Sequence, residues 1–418
     1  MTNRWLRIGL WLSGLGLLLL PVLDDPPLQS GVYLQHVTSQ SAVVCKVTPL
    51  AEDLELRVSQ GAVEVARLTS TQRRRHEFAV TGLAAGRTYG FQLFLRGAAE
   101  PLEKGEIRTA PTSDREPIRI AAVGDSGAQP WWVWFAQSPL LYGPARWQWL
   151  PPSSTVATIG RQIAAADPHF VLHLGDIVYP YGQSRHYGPG FFRPFADVLR
   201  RAPVYPVLGN HDVLDDDGRQ ALANFHLPVG ETTGDERCYS FAYGSVRVIT
   251  VDFNVSVDEH VDGQSPAVRH LERALAAATE PWVIVTSHFP IRSASRQGNR
   301  ADLMLQVIPL LRDYGADLYL AGHDHTYQRF ESPDEVPMVV SGAGGKSLYE
   351  VHPWPHAKVI LARYHWCWLE ATGNRLRFEA RAVDGGLLDS LEMQHDEAWL
   401  ARASKLPKAR TDRIRASR

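Results

Sequence analysis

Asp125, Asp176, Tyr179, Asn210, His288, His323 and His325 are far apart in the chain, yet each closes a short apolar run: AAVGDSG, VLHLGDIVY, VLGNHD, VIVTSHFP and LYLAGHDH. Hard oxygen donors mixed with imidazoles suit Fe, Zn or Mn and exclude copper-thiolate chemistry. These side chains are too many for one tetrahedral ion, but they satisfy two ions if one carboxylate bridges them. Two ions about 3.5 to 4 Å apart neutralise phosphate oxygens while a hydroxide held between them attacks in line. Coordination also brings the pKa of the attacking water from about 15.7 towards roughly 7. The donor set therefore reads as a two-metal hydrolase acting on phosphate esters. An Asp at a strand end or a lone His-x-His is more often a cap, a turn former or a surface pair. The ordered set GDSG, GDIVY, GNHD, VTSH and GHDH is far more specific.

The elements that must position these groups follow from the runs themselves. Each run is rich in Val, Ile and Leu and breaks at Gly or a polar side chain, as a strand buried on both faces does. A parallel α/β sheet aims side chains from its carboxyl ends into one crevice. Helices are expected over 155–166, 191–201, 266–278 and 301–314, the last closed by Gly315 as a C-terminal cap. From 31 to 109 the pattern changes to short alternating runs with turns, which predicts an all-β sandwich ahead of the α/β domain. HWCWLEAT and NRLRFEARAV, separated by Gly373 and Asn374, predict a late hairpin.

Bulk properties narrow the class. A hydrophobic content of 44% with 21% charged residues is ordinary globular composition, and the net charge of -2 favours neither nucleic acid nor an anionic membrane as partner. Arg4 and Arg7 precede a largely apolar stretch, 8–23, that suits an export signal or an uncleaved N-terminal membrane anchor, so export is expected and membrane association stays open. Cys45, Cys238 and Cys367 show no metal or redox spacing; they read as buried small side chains, with a Cys238–Cys367 bridge open in an oxidising compartment. The last residues carry Arg402, Lys405, Lys408, Arg410, Arg413, Arg415 and Arg418 against Asp412 alone, which predicts a solvated, disordered basic tail, or one that binds acidic polymers.

On these motifs the chain resembles the calcineurin-like metallophosphoesterases and, within them, the purple acid phosphatases. The narrower resemblance rests on Gly124-Asp125-Ser126-Gly127, on Tyr179 three residues after Asp176, on GHDHTYQR from 322 and VVSGAGG from 339, and on the preceding sandwich; it covers about 31–392. LAAGRTYGFQLFL, with Tyr89 near the start of a late strand, is similar to a fibronectin type III domain. The resemblance implies a four-layer α-β-β-α catalytic domain. Its boundaries are a signal or anchor at 1–27, a fibronectin III-like sandwich at 28–110, the phosphoesterase domain at 111–392 and the basic tail at 393–418. It also implies Fe(III) held by Asp125, Asp176, Tyr179 and His325, and Fe(II), Zn or Mn held by Asp176, Asn210, His288 and His323. His211 would face the phosphate, stabilising charge or protonating the leaving alkoxide, with Asp212 orienting it.

Two departures bear on substrate. Members usually supply a further histidine after His288, but none occurs in 289–298; Gln297 stands where it is expected, and Arg292 and Arg296 are candidate phosphate contacts. The segment after Asp125 carries Trp131, Trp132, Trp134, Phe135, Tyr142, Trp147 and Trp149. It reads as a local mini-core, a hydrophobic lid over the site or a membrane contact. The main expectation is an exported phosphomonoesterase. A phosphodiesterase acting on nucleotides or phospholipid headgroups, and a surface phosphate-binding protein without turnover, are the alternatives.

Overall fold

The computed structural model describes residues 28–127, 152–214, 216–254, 260–332 and 335–417. The apolar stretch 8–23 and the aromatic cluster between Trp131 and Trp149 lie outside these residues. Among the described residues no helix is long and apolar enough to cross a membrane.

The N-terminal part is entirely β. Strands β1 (Tyr33–Gln35), β2 (Ser41–Gln60), β3 (Val63–Thr81), β4 (Thr88–Leu95) and β5 (Glu103–Arg108) form one antiparallel sheet. The β2–β3 register breaks between Val47 and Glu52; ahead of the break β2 also pairs with β1, and beyond it with β4. The two halves share a core of Val44, Leu56, Phe78, Phe91 and Leu93, all essentially free of solvent. The Tyr89 hydroxyl accepts the Ala84 amide at 2.9 Å, the corner contact expected of a Tyr at the start of a late sandwich strand. Polar contacts fasten this unit to the α/β domain. Arg108 binds Asp167 through two hydrogen bonds of 2.7 and 3.0 Å, and the Gln35 amide donates to Val204 O at 3.1 Å.

Two sheets follow. Strands β6 (Ile118–Val123), β7 (Phe170–His173) and β8 (Val204–Pro206) run parallel. The second sheet contains β9 (Tyr239–Tyr243), β10 (Val246–Val251), β11 (Trp282–Ser287), β12 (Leu318–Ala321), β13 (Tyr327–Phe330), β14 (Met338–Ser341) and β15 (Ala357–Leu361), in the order β15-β13-β14-β12-β11-β10-β9. The chain then returns to the first sheet through β16 (His365–Thr372), β17 (Arg375–Ala382) and β18 (Leu387–Gln394), giving β18-β17-β16-β6-β7-β8. The two-residue period of a strand sorts the second sheet's side chains. Val246, Val248, Ile284, Leu318 and Leu320 join the large core shared with the first sheet, whereas Ile249, Val251, Val283, Val285 and Tyr319 join the core under the helices. Helices α1 (Pro152–Ala166) and α2 (Arg193–Leu199) serve the first sheet, and α3 (Pro266–Ala277) and α4 (Ala301–Asp313) cover the second. The result is the α-β-β-α arrangement, with helices close to where periodicity put them.

The solvated tail expected from 393 is corrected. After β18, Asp396 caps α5 (Glu397–Arg402) by accepting the Trp399 amide at 2.7 Å, and α6 (Lys408–Ser417) docks on the second sheet. Arg410 is fully buried and donates to Asp317 at 2.7 Å, Gly315 O at 2.6 Å and Pro281 O at 3.1 Å. A carboxylate buried just before β12 needs a cation, and this arginine reaches it from the terminal helix. The three cysteines are buried and unpaired, so no Cys238–Cys367 bridge forms.

One buried histidine sets an acid limit on stability. His365 donates from Nδ1 to Arg363 O and accepts Ser341 Oγ at Nε2, both at 2.9 Å, and burial pulls its pKa down to about 4. The unfolded value is about 6.5. Between these values the unfolded chain binds more protons, so stability is complete above about 6.5 and falls as pH drops towards 4, by up to about 3 kcal/mol from this group. Thermal unfolding between pH 7.5 and 4.5 should show that decline, and His365→Gln should make it shallower by this group's share, beside those of His169, His173, His323 and His325, which burial also lowers. An unchanged slope in the variant would assign the acid sensitivity to other groups.

Candidate metal centre

Every predicted ligand lies just beyond the carboxyl end of a parallel strand. Asp125 follows β6, Asp176 and Tyr179 follow β7, and Asn210 follows β8; His288 follows β11, and His323 with His325 follow β12. The site therefore sits where the carboxyl ends of the two sheets meet. Three of these residues adopt left-handed backbone angles, with φ of 53° at Asp125, 51° at Asp176 and 69° at His323. Strain of this kind persists only where the surroundings over-determine it, and here it falls on three of the candidate ligands. Gly175 (φ 85°) has no substitute, because a Cβ there would run into the His288 ring.

The side chains gather into two groups that share Asp176. In the first, the Tyr179 hydroxyl lies 3.2 Å from Asp125 Oδ1, 3.0 Å from Asp176 Oδ2 and 3.5 Å from His325 Nε2. In the second, Asn210 Oδ1 lies 3.0 Å from both His288 Nε2 and His323 Nδ1, and His288 Nε2 lies 3.5 Å from Asp176 Oδ1. Backbone carbonyls set the tautomers of two imidazoles. His288 donates from Nδ1 to Leu174 O at 2.8 Å and His325 from Nδ1 to Ser347 O at 2.7 Å, so both point an Nε2 lone pair inward. Lone pairs and carboxylate oxygens thus converge with few protons between them, which is the environment a cation requires. The donor set fits two ions, and the two groups adjoin: ligand atoms of Asp125 from the first, Asp176 from both and His288 from the second lie mutually within 4.8 Å.

The electrostatics agree. Burial, then the neighbouring Asp176 charge, raises Asp125 well above the usual carboxylate range. Burial also pushes Asp176 upward, but the His288 and His211 imidazoles and the His211 amide bring it below its ordinary value. Burial with both carboxylates raises the Tyr179 phenol strongly, while burial lowers His323 and His325 to about 3, leaving both neutral. Bound cations reverse this preference by favouring the ionised oxygens.

The other predicted residues separate. His211 donates its amide to Asp176 Oδ1 at 2.9 Å and lies edge-on to Tyr179 with centroids 4.7 Å apart; its Nδ1 meets Pro180 O at 2.8 Å, which keeps Nε2 for another partner. Asp212 does not orient His211, and that expectation is corrected. Its carboxylate is fully buried and accepts the Gly209 amide at 2.9 Å and the Ile177 amide at 3.1 Å, bracing the loops that carry Asn210 and Asp176. Successive residues of the helical turn Asn210–Val213 are rotated by roughly 100°, so neighbours in sequence face different ways. Burial, then Asp176, raises Asp212 to about 8. Arg292 is also corrected as a phosphate contact, because its guanidinium is held by Glu335 through a two-bond pair. Arg296 is exposed and lies over the Tyr349 ring, 5.1 Å from its centroid, and that ring stacks on His325 at 4.2 Å. Gln297 is exposed, and its side chain has no hydrogen bond among the described residues. The sequence reading missed Lys346, whose ammonium lies 4.5 Å from the Tyr179 ring centroid and whose pKa burial lowers to about 8. Its only signal was a basic residue immediately after the Gly344-Gly345 pair.

Residues 118–327, half of the chain, match the family model for calcineurin-like phosphoesterases, and the chain belongs to that family. It is a phosphatase-type enzyme whose homologues are purple acid phosphatases. It is 30% identical over 260 residues to tartrate-resistant acid phosphatase type 5 of Sus scrofa, covering 57% of this chain and 72% of that protein. It is 29% identical over 249 residues to the Homo sapiens protein of the same name, covering 54% and 73%. The fold agrees with a purple acid phosphatase from yellow lupin (Lupinus luteus) seeds, at a TM-score of 0.71 and 17% identity over 91% of this chain and 77% of that one.

Proposed function

We propose that this enzyme hydrolyses phosphate monoesters at a two-metal centre, with Fe(III) held by Asp125, Asp176, Tyr179 and His325, and Fe(II), Zn or Mn held by Asp176, Asn210, His288 and His323. The observation that carries this reading is the convergence of the ligand side chains into two groups with Asp176 between them. Bound there, the ions would supply charge neutralisation and an activated hydroxide. The protein's own part is to hold Asp176 between the two groups, through the His211 amide, and to keep His323 and His325 neutral. His211, with Nδ1 committed to Pro180 O, would offer Nε2 to the phosphoryl group or the leaving oxygen. An exported location is part of the reading, supported by the apolar stretch behind Arg4 and Arg7.

Protein purified without chelator is expected to release p-nitrophenol from p-nitrophenyl phosphate, contain two metal equivalents and show a violet phenolate-to-iron band. Tyr179→Phe should abolish the band and lower turnover by roughly 10- to 100-fold or more. A colourless, iron-free, fully active protein would replace iron with Zn or Mn, and absence of phosphate release from the metal-loaded protein would reject the function.

A further inference from the structure

Lys346 is 9% exposed, and its ammonium has no hydrogen-bond acceptor among the described residues. Burying most of this side chain disfavours its charge, and the Asp176 and Asp125 carboxylates together with the Tyr179 ring offset part of that cost. Its placement comes from the backbone. In the loop after β14, the Gly344 amide donates to Gly124 O at 2.9 Å and the Lys346 amide to Asp125 O at 3.1 Å, while the Tyr349 amide donates to His325 O at 3.1 Å. A Cβ at Gly345 would collide with Val156, so the loop can lie flat against the end of β6 only without a side chain there. The root of Lys346 is therefore fixed to the strand end that carries Asp125, and its tip reaches the wall formed by Tyr179.

We propose that Lys346 sets the preference of this site for phosphomonoesters over diesters by binding a non-bridging phosphoryl oxygen. The inference rests on the phosphoesterase reading of the centre and adds its substrate class. A monoester dianion presents three non-bridging oxygens and two negative charges; a diester presents two oxygens and one charge. A fixed cation beside the donor cluster therefore gains more from the monoester, in both hydrogen bonding and Coulomb energy. With ions bound, the Asp125 and Asp176 oxygens and the inward imidazole lone pairs are taken up as donors to metal, so none of them gives a hydrogen bond to phosphate. Beside His211, Lys346 supplies such a donor from the loop after β14, and it carries a charge.

The test uses the full-length, metal-loaded protein with Lys346→Met and Lys346→Arg. Bound metal is measured in each, and rates on p-nitrophenyl phosphate and bis-p-nitrophenyl phosphate are compared. For Lys346→Met, kcat/KM on the monoester is expected to fall by roughly 10- to 100-fold, the scale of one hydrogen bond to a charged group, with the diester changed by less than about threefold. Lys346→Arg should restore most of the difference. Calorimetric titration provides a reading independent of turnover: native protein should bind inorganic phosphate more tightly than dimethyl phosphate, and Lys346→Met should narrow that preference by roughly 10- to 100-fold. Equal losses on both substrates, an unchanged phosphate preference, or loss of metal from Lys346→Met would overturn the inference. If native protein turns over neither ester, the proposed function fails, and the phosphate titration alone still decides the role of Lys346.

Discussion

Asp176→Ala is expected to reduce phosphomonoester turnover by on the order of 10³-fold or more and to lower bound metal from two equivalents to one or fewer. The size of the effect follows from position. One oxygen of Asp176 faces Tyr179 at 3.0 Å, and the other faces His288 at 3.5 Å while accepting the His211 amide at 2.9 Å, so a single truncation takes a donor from both groups. Removing its charge lets Asp125 and Tyr179 ionise more readily, but neither replaces the donor lost from the second group. Metal content, circular dichroism and p-nitrophenyl phosphate turnover measured together separate this from misfolding. Asp212→Asn is the comparison: the two carboxylate oxygens accept the Gly209 and Ile177 amides and Asn retains one acceptor of the two, so stability should fall while metal binding is kept and turnover changes far less than in Asp176→Ala. Native turnover in Asp176→Ala would mean that the shared carboxylate has no part in the chemistry.

The placement of the candidate ligands was legible because the physics that positions them also writes the sequence. A strand covered on both faces must be a continuous apolar run, and the residue that breaks the run at its carboxyl end is the one delivered to the crevice; Ile120 to Asp125 and Leu318 to His323 show this directly. Lys346 was not legible, because it lies in a glycine-rich loop whose course is set by backbone contacts to Gly124 and Asp125 rather than by any periodicity. Arg292 misled for a related reason. Its position after His288 favoured a phosphate contact, but Glu335, remote in sequence, holds its guanidinium. Asp212 misled because adjacency to His211 says nothing about direction within a helical turn. Tertiary pairing of charges is the information that residue type and spacing lack.

The terminal segment gives the largest expected effect on stability. Arg410→Ala should destabilise the protein by about 3–5 kcal/mol, because it leaves a buried carboxylate without its cation. Asp317 accepts Arg410 on one oxygen at 2.7 Å and His395 on the other at 2.8 Å, and both partners of the Arg410–Asp317 pair are essentially without solvent. Burial pulls the guanidinium below its usual range, so the charge is maintained against a desolvation cost that Asp317 offsets. A fall in melting temperature on the order of 5–10 °C is expected by differential scanning calorimetry. Arg410→Met with Asp317→Asn should recover part of it, since removing both charges removes the unpaired one. Turnover at ambient temperature should stay near native: Asp317 precedes β12 and His323 follows it, so a strand of about 13 Å separates the clamp from the metal ligands. The basic composition of 402–418 alone predicts a shift below about 0.5 kcal/mol, the usual scale for a solvated surface charge, and a result of that size would return Arg410 to the solvent.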